Sequence, residues 1–212
     1  MAARPAPPTA RGRARRERLV DAAAQLVAER GFHVVGISDI GAAAGVTGSA
    51  IYRHFATKTE LLVAVLDRVV DGLLAGADAI VARSSDPAGT LHELVAAHVS
   101  FALRDRAIIR VYAQEQHHLP PDDRRRIRRT QRAYVERWVT ALTAVHPDLD
   151  ADRARVRVRA TFGLVNAVAD LATPLDDAAL GDELATMAGR ALGGTTGTAP
   201  RVPRRDERPE ST

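Results

Sequence analysis

A chain of 212 residues has room for one domain or two, and its mix of 46% apolar and 26% charged residues with few aromatics suits a globular, helix-rich protein. Cysteine is absent, which excludes disulfide frameworks, thiolate zinc sites and cysteine nucleophiles. The net charge of +4 is carried entirely by residues 1–60, where nine basic side chains stand against five acidic ones. A surface for phosphates is therefore expected at the N-terminal end, with a solvated arginine tail as the other reading.

Residues 1–12, rich in Pro, Ala and Arg, are predicted to be a disordered basic tail, and residues 194–212 a second disordered tail. No apolar stretch follows the first charges as it would in a signal peptide, and no run of eighteen apolar residues occurs. Membrane partners are not expected, and the chain is placed in the cytoplasm. Between the tails the apolar spacing is helical throughout, so the fold is predicted to be all-α.

Leu19, Ala22, Ala23, Leu26 and Val27 recur at spacings of three and four, which predicts a helix over 13–30 ended by Gly31. Two short helices follow at about 38–44 and 48–54, separated by Gly45-Val46-Thr47. Helix, three-residue turn opened by glycine, second short helix is the arrangement that presents a recognition helix to the major groove. Ile40, Ala44, Val46 and Ile51 are spaced to lock the pair, leaving Thr47, Ser49, Ala50, Tyr52, Arg53 and His54 for the outer face or its margins. Thr57-Lys58-Thr59-Glu60 has the S/T-x-x-E form of a capping box and opens a fourth helix bearing Leu61, Leu62, Val65, Leu66, Val69 and Val70. Asp86-Pro87 caps a helix to about Arg104, and further helices are predicted over 105–118, 121–145, 150–171 and 177–192.

The segment GFHVVGISDIGAAAGVTGSAIYRHFATKTELL, residues 31–62, resembles the TetR family of bacterial regulators. The resemblance rests on Gly31-Phe32, Asp39-Ile40, Ala43-Ala44-Gly45-Val46-Thr47, Ile51-Tyr52, His54-Phe55, Lys58 and Glu60-Leu61-Leu62. It implies a three-helix helix-turn-helix DNA-binding domain over 13–60 and a helical ligand-binding and dimerisation domain over 61–193. It further implies that Tyr52, His54 and Lys58, the only lysine of the chain, clamp the DNA backbone, with Thr47 and Ser49 adding contacts at the start of the recognition helix. The chain departs from the family at Gly36, where Ser or Thr often opens the second helix, so the cap falls to Gly36 itself or to Ser38. Gly48, Ser49 and Ala50 are small for base reading, which shifts specificity toward Arg53, Ser38, close backbone approach and DNA shape. Arg11, Arg13, Arg15, Arg16 and Arg18 read equally as a groove-reaching arm or as a solvated tail.

In the second domain His98, Phe101, Tyr112, Gln116, Trp138, Phe162 and Asn166 set polar and aromatic groups among apolar ones, as the lining of a pocket between helices does. Singly, each also reads as an ordinary core position; a largely apolar small-molecule effector is what the resemblance implies. The same resemblance implies a homodimer through the last two helices, where Ala160, Gly163 and Ala167 permit close approach. His117-His118 beside Glu115 lacks the spacing of metal ligands, and Arg124 to Arg132 reads as the solvated face of a long helix with Asp122 and Asp123 at its positive end. No GxSxG, GxGxxG, GxxxxGKS or HExxH motif is present, so neither an enzyme nor a cofactor is expected. The expectation is a regulator released from a double-stranded DNA operator by its effector; the alternative is a DNA-binding dimeric or architectural protein without a ligand.

Overall fold

Nine α-helices and one 3-10 turn, with no strand among the described residues, follow one another in a computed structural model that describes residues 10–193 apart from the side chains of Gly48 and Ser49. Helix α1 runs Ala10–Arg30, so Ala10 to Gly12, assigned on composition to a disordered tail, instead form its first turn; no proline occurs between Pro8 and Pro87 to interrupt it. The remainder of that tail and residues 194–212 lie outside the described residues.

Helix α2 spans Ile37–Ala43 and α3 Gly48–Ile51. Gly36 caps α2 without a side chain, and its own N–H donates to Asp39 Oδ2 at 2.8 Å, which is the carboxylate half of a capping box. The helix ends in a Schellman closure: Gly45 N–H donates to Ala42 O at 3.2 Å and Val46 N–H to Gly41 O at 2.9 Å. Gly45 has φ of +67°, a left-handed conformation that strains any residue carrying a Cβ. Ile40 and Ile51 are buried beneath the turn, with Ala44 and Val46 packed on them. Helix α3 stops at Ile51, three residues short of the extent predicted, and Tyr52 to His54 continue as a turn closed by the His54 and Phe55 amides on Ile51 O.

Helix α4, Lys58–Arg83, is one continuous rod, so the division placed between residues 60 and 61 falls within its first turn. Thr57 Oγ1 accepts from the Glu60 amide at 3.1 Å, while the Glu60 carboxylate accepts from the Ala56 amide at 2.7 Å. After α4 come α5 (Pro87–Arg104), α6 (Arg106–Glu115), α7 (Pro121–Val145), α8 (Ala151–Asn166) and α9 (Asp177–Gly193). Helices α6 and α8 end earlier than the spacing suggested, because turns follow Glu115 and a short 3-10 turn, Ala167–Ala169, follows Asn166.

Two apolar cores result. The first joins α1 (Leu19, Leu26), Ile40, Ile51, Phe55 and the first half of α4 to Ile108 and Val111 of α6 and Ile127 of α7. The second joins the later part of α4 (Ala77, Ile80) to α5, α7, α8 and α9 through Leu94, Trp138, Leu142, Val158, Leu184 and Leu192. Helix α6 thus belongs to the core of the N-terminal unit although it lies more than fifty residues beyond the end of α3 in the chain.

Candidate DNA-binding face and ligand cavity

The short helix α3 and the turn after it put four of the predicted DNA-contacting residues at the surface or its margin. Thr47, Tyr52 and Arg53 are exposed and His54 is half-buried. Tyr52, a large aromatic, is 58% exposed, which costs apolar hydration with no partner inside the fold. Ser38 is exposed on α2, whereas the side chain of Ser49 lies outside the described residues. Lys58 sits half-buried in the first turn of α4, its Nζ 4.4 Å from the centroid of the Phe32 ring. A neighbouring guanidinium, Arg16 of α1, lies 4.7 Å over the ring of Phe55. These cation–π contacts hold two positive groups beside the turn, a placement the sequence signalled for Lys58 but not for Arg16.

A carboxylate ties this face to the body. Glu115 closes α6 with little exposure, and its Oε1 lies 2.8 Å from Nε2 of His33 in the α1–α2 connection, with His118 Nδ1 3.8 Å from Oε2. Burial lowers the Lys58 pKa below the ordinary lysine value, and the negative Glu115 opposes that effect. A carboxylate at a helix C-terminus is disfavoured by the helix dipole, and the neighbouring positive Lys58 offsets that placement. Of the His117-His118 pair, His118 is the one whose ring nitrogen faces the Glu115 carboxylate. Among the described residues no group of three His, Cys, Asp or Glu is arranged to hold a metal ion.

Between α4, α5, α6, α7 and α8 lies a cavity of about 580 Å³. His98, Phe101, Tyr112, Gln116, Phe162 and Asn166 all line it, together with Leu66, Val69, Val70 and Ile108. Trp138, named with them from the sequence, does not: it is 1% exposed and stands behind the wall, edge-on to Phe162 at 4.9 Å and to His98 at 5.8 Å. Tyr112 Oη donates to Gln131 Oε1 at 3.0 Å, bracing α6 against α7.

His98 is the unusual group in that wall. It is 3% exposed, packed among Phe101, Tyr134, Trp138 and Phe162, and burial pushes its pKa down to about 4 against a partly compensating interaction with Asn166. The ring is thus neutral at pH 7. Tyr134 Oη lies 3.3 Å from His98 Nδ1, within hydrogen-bonding distance, and burial raises the Tyr134 pKa, so the phenol keeps its proton. His98 Nε2 and Asn166 Oδ1 are buried and have no hydrogen-bond partner among the described residues.

Sequence reasoning passed over the arginines. Arg128 and Arg132 of α7, read as solvated face, line the cavity with Arg159 of α8. Only the neighbour packed beside α7 distinguishes that face from the others, and no residue spacing within α7 encodes it.

Residues 19–65 match the model of bacterial regulatory proteins of the tetR family, and residues 84–171 match a tetracyclin repressor-like C-terminal domain. The transcriptional activator FasR of Mycolicibacterium smegmatis is 30% identical over 142 residues, 67% of this chain and 64% of FasR. The transcriptional repressor KstR2 of Rhodococcus jostii is 32% identical over 120 residues, 57% of this chain and 59% of KstR2, so the chain spans under two thirds of both relatives. KstR2 of Mycobacterium tuberculosis is 30% identical over 145 residues, 65% of this chain and 72% of that protein. Its solved structure superposes with a TM-score of 0.64 at 27% identity, covering 87% of this chain and 96% of that one. FadR of Bacillus subtilis, solved with stearoyl-CoA, shares the fold with a TM-score of 0.67 at 20% identity, covering 85% and 99%.

Proposed function

The chain belongs to the TetR family of bacterial regulatory proteins, and on that premise we propose that it is a dimeric transcriptional repressor that leaves its operator when a small molecule enters the cavity. The observation that carries the DNA-binding half is the exposed face of Thr47, Tyr52 and Arg53 beside Lys58 and Arg16, positive groups held at the open side of a helix-turn-helix. Tyr52, His54 and Lys58 contact phosphates and set register, while Arg53 and Ser38 face base edges. Acting on chromosomal DNA places the protein in the cytoplasm.

Helix α6 is the element through which ligand reaches reader. Ile108, Ile109 and Tyr112 line the cavity, while Ile108 and Val111 belong to the first core and Glu115 meets His33. A small molecule that displaces α6 therefore displaces α1 and the α1–α2 connection with it. The effector has a largely apolar body, matched to Leu66, Val69, Val70, Phe101 and Phe162; stearoyl-CoA in FadR is a molecule of that kind held by the same fold.

Two copies pair through α8 and α9. Val156, 68% exposed, lies with Ala160 and Gly163 on the outer side of α8, Ala167 is exposed at the start of the 3-10 turn that follows, and Met187 is exposed on α9. An isologous pairing of these helices sets two readers at a fixed separation and so selects a near-palindromic site. Selection of duplexes from a random pool tests the reading. A shared near-palindromic sequence bound by an even number of chains is expected; recovery of unrelated sequences would overturn it.

A further inference from the structure

We propose that the effector is an anionic amphiphile, whose head is read by Arg128, Arg132 and Arg159 while its apolar body fills the cavity. The inference rests on the cavity being the effector site and adds the chemistry of the ligand. Several arginines of α7 and α8 that do not line the cavity are matched with carboxylates, Arg126 with Asp67 and Asp123, Arg137 with Asp78, Arg155 with Glu136 and Asp152, while Arg124 and Arg157 reach the backbone carbonyls of His117 and Leu192. Arg128, Arg132 and Arg159, the three that line the cavity, make no ion pair with any described residue, although Arg159 exerts a longer-range pull on Glu136.

Arg128 and Arg132 are four residues apart on one helix face, a like-charged pair that disfavours the unliganded helix and that a bound anion would relieve. Arg128, Arg132 and Arg159 are exposed residues of the cavity lining, and their guanidiniums supply planar, forked donors suited to carboxylate or phosphate oxygens. Deeper in the cavity, the buried His98 Nε2 and Asn166 Oδ1 have no hydrogen-bond partner. Buried polar atoms are ordinarily satisfied, so these two atoms are open to a polar group of a bound ligand. The tautomer with its proton on Nε2 meets an oxygen there, such as the carbonyl of an acyl group.

The head can be a free carboxylate or the phosphates of a coenzyme A thioester, and matched probes separate the two. Trp138, the only tryptophan of the chain, touches His98 and Phe162 of the wall and reports occupancy by fluorescence. Decanol, decanoate and decanoyl-CoA are titrated against the full-length protein and against Arg128→Gln/Arg132→Gln/Arg159→Gln. At least one anionic probe is expected to bind about 10-fold or more tighter than decanol, as charge-assisted hydrogen bonds allow. That advantage is expected to vanish in the triple variant while the decanol affinity, which reports an intact cavity, is retained. Preference for decanoate assigns a free carboxylate, and preference for decanoyl-CoA assigns phosphates. Equal binding of all three probes, or an anion preference that survives in the triple variant, would overturn the arginine assignment while leaving the cavity as effector site. No binding by any probe would overturn both.

Discussion

Lys58 is held by three neighbours: Phe32 beneath its ammonium, Glu115 at longer range, and the first turn of α4 around its backbone. A cation fixed in this way meets a phosphate without first losing side-chain freedom. Lys58→Ala is accordingly expected to weaken binding to all duplexes about equally and to lower the slope of log affinity against log salt by about one unit. Unchanged affinity would remove Lys58 from the phosphate contacts. His98 sets a pH dependence of another kind. Its folded pKa of about 4 lies below the unfolded value of 6.5, so the unfolded chain takes up a proton first as pH falls. Stability due to the neutral ring is full above pH 6.5 and declines as pH drops toward 4, by about 3 kcal/mol in total. Denaturant midpoints of the wild type and His98→Phe at pH 7.5 and 4.5 check this: the wild type should lose more between the two pH values than the variant. Parallel losses would show that His98 is solvated in the folded state.

Among the elements, boundaries carried by backbone chemistry were legible in advance. Asp86-Pro87, Pro120-Pro121 and Thr57 to Glu60 mark helix starts because each supplies a cap or a fixed φ, and α5, α7 and α4 begin there. Thr57→Ala removes the side-chain acceptor of the Glu60 amide and is expected to cost about 1 kcal/mol, a melting shift of roughly 2–4 °C for a chain of this size. No shift in calorimetry would mean that water replaces the cap at no cost. Helix ends were less legible. Helix α3 gives way to a turn at Tyr52 although its polar and apolar pattern runs on to His54, because local pattern does not report the closure of the His54 and Phe55 amides on Ile51 O. The cavity was legible only in part: His98, Phe101 and Phe162 stand out as aromatic or polar groups among aliphatic ones, but Trp138, with the same signature, is turned into the core. The cavity-lining arginines and the Glu115–His33 pair depend on which helices meet, information that lies in tertiary packing rather than in any single helix.

At the scale of the whole molecule, the reader and the cavity share α4 and α6, and in the proposed mechanism coupling between effector and operator is reciprocal. The proposed dimer would give that coupling its leverage, because two readers on a common frame bind only when their separation matches successive major grooves. Val156→Glu places a charge on the exposed face of α8 and is expected to yield a monomer by light scattering with sharply weaker operator binding. A variant that remained dimeric would move the interface away from α8.

The central claim is sequence-specific recognition by the face around Thr47, Tyr52, Arg53 and Lys58. Its most direct test is the affinity of the full-length protein for a selected operator duplex against a shuffled duplex of equal length and composition, measured by fluorescence anisotropy at physiological salt. The operator is expected to bind about 10³-fold or more tighter, within the range of specific regulators. Equal affinities for the two duplexes would contradict it.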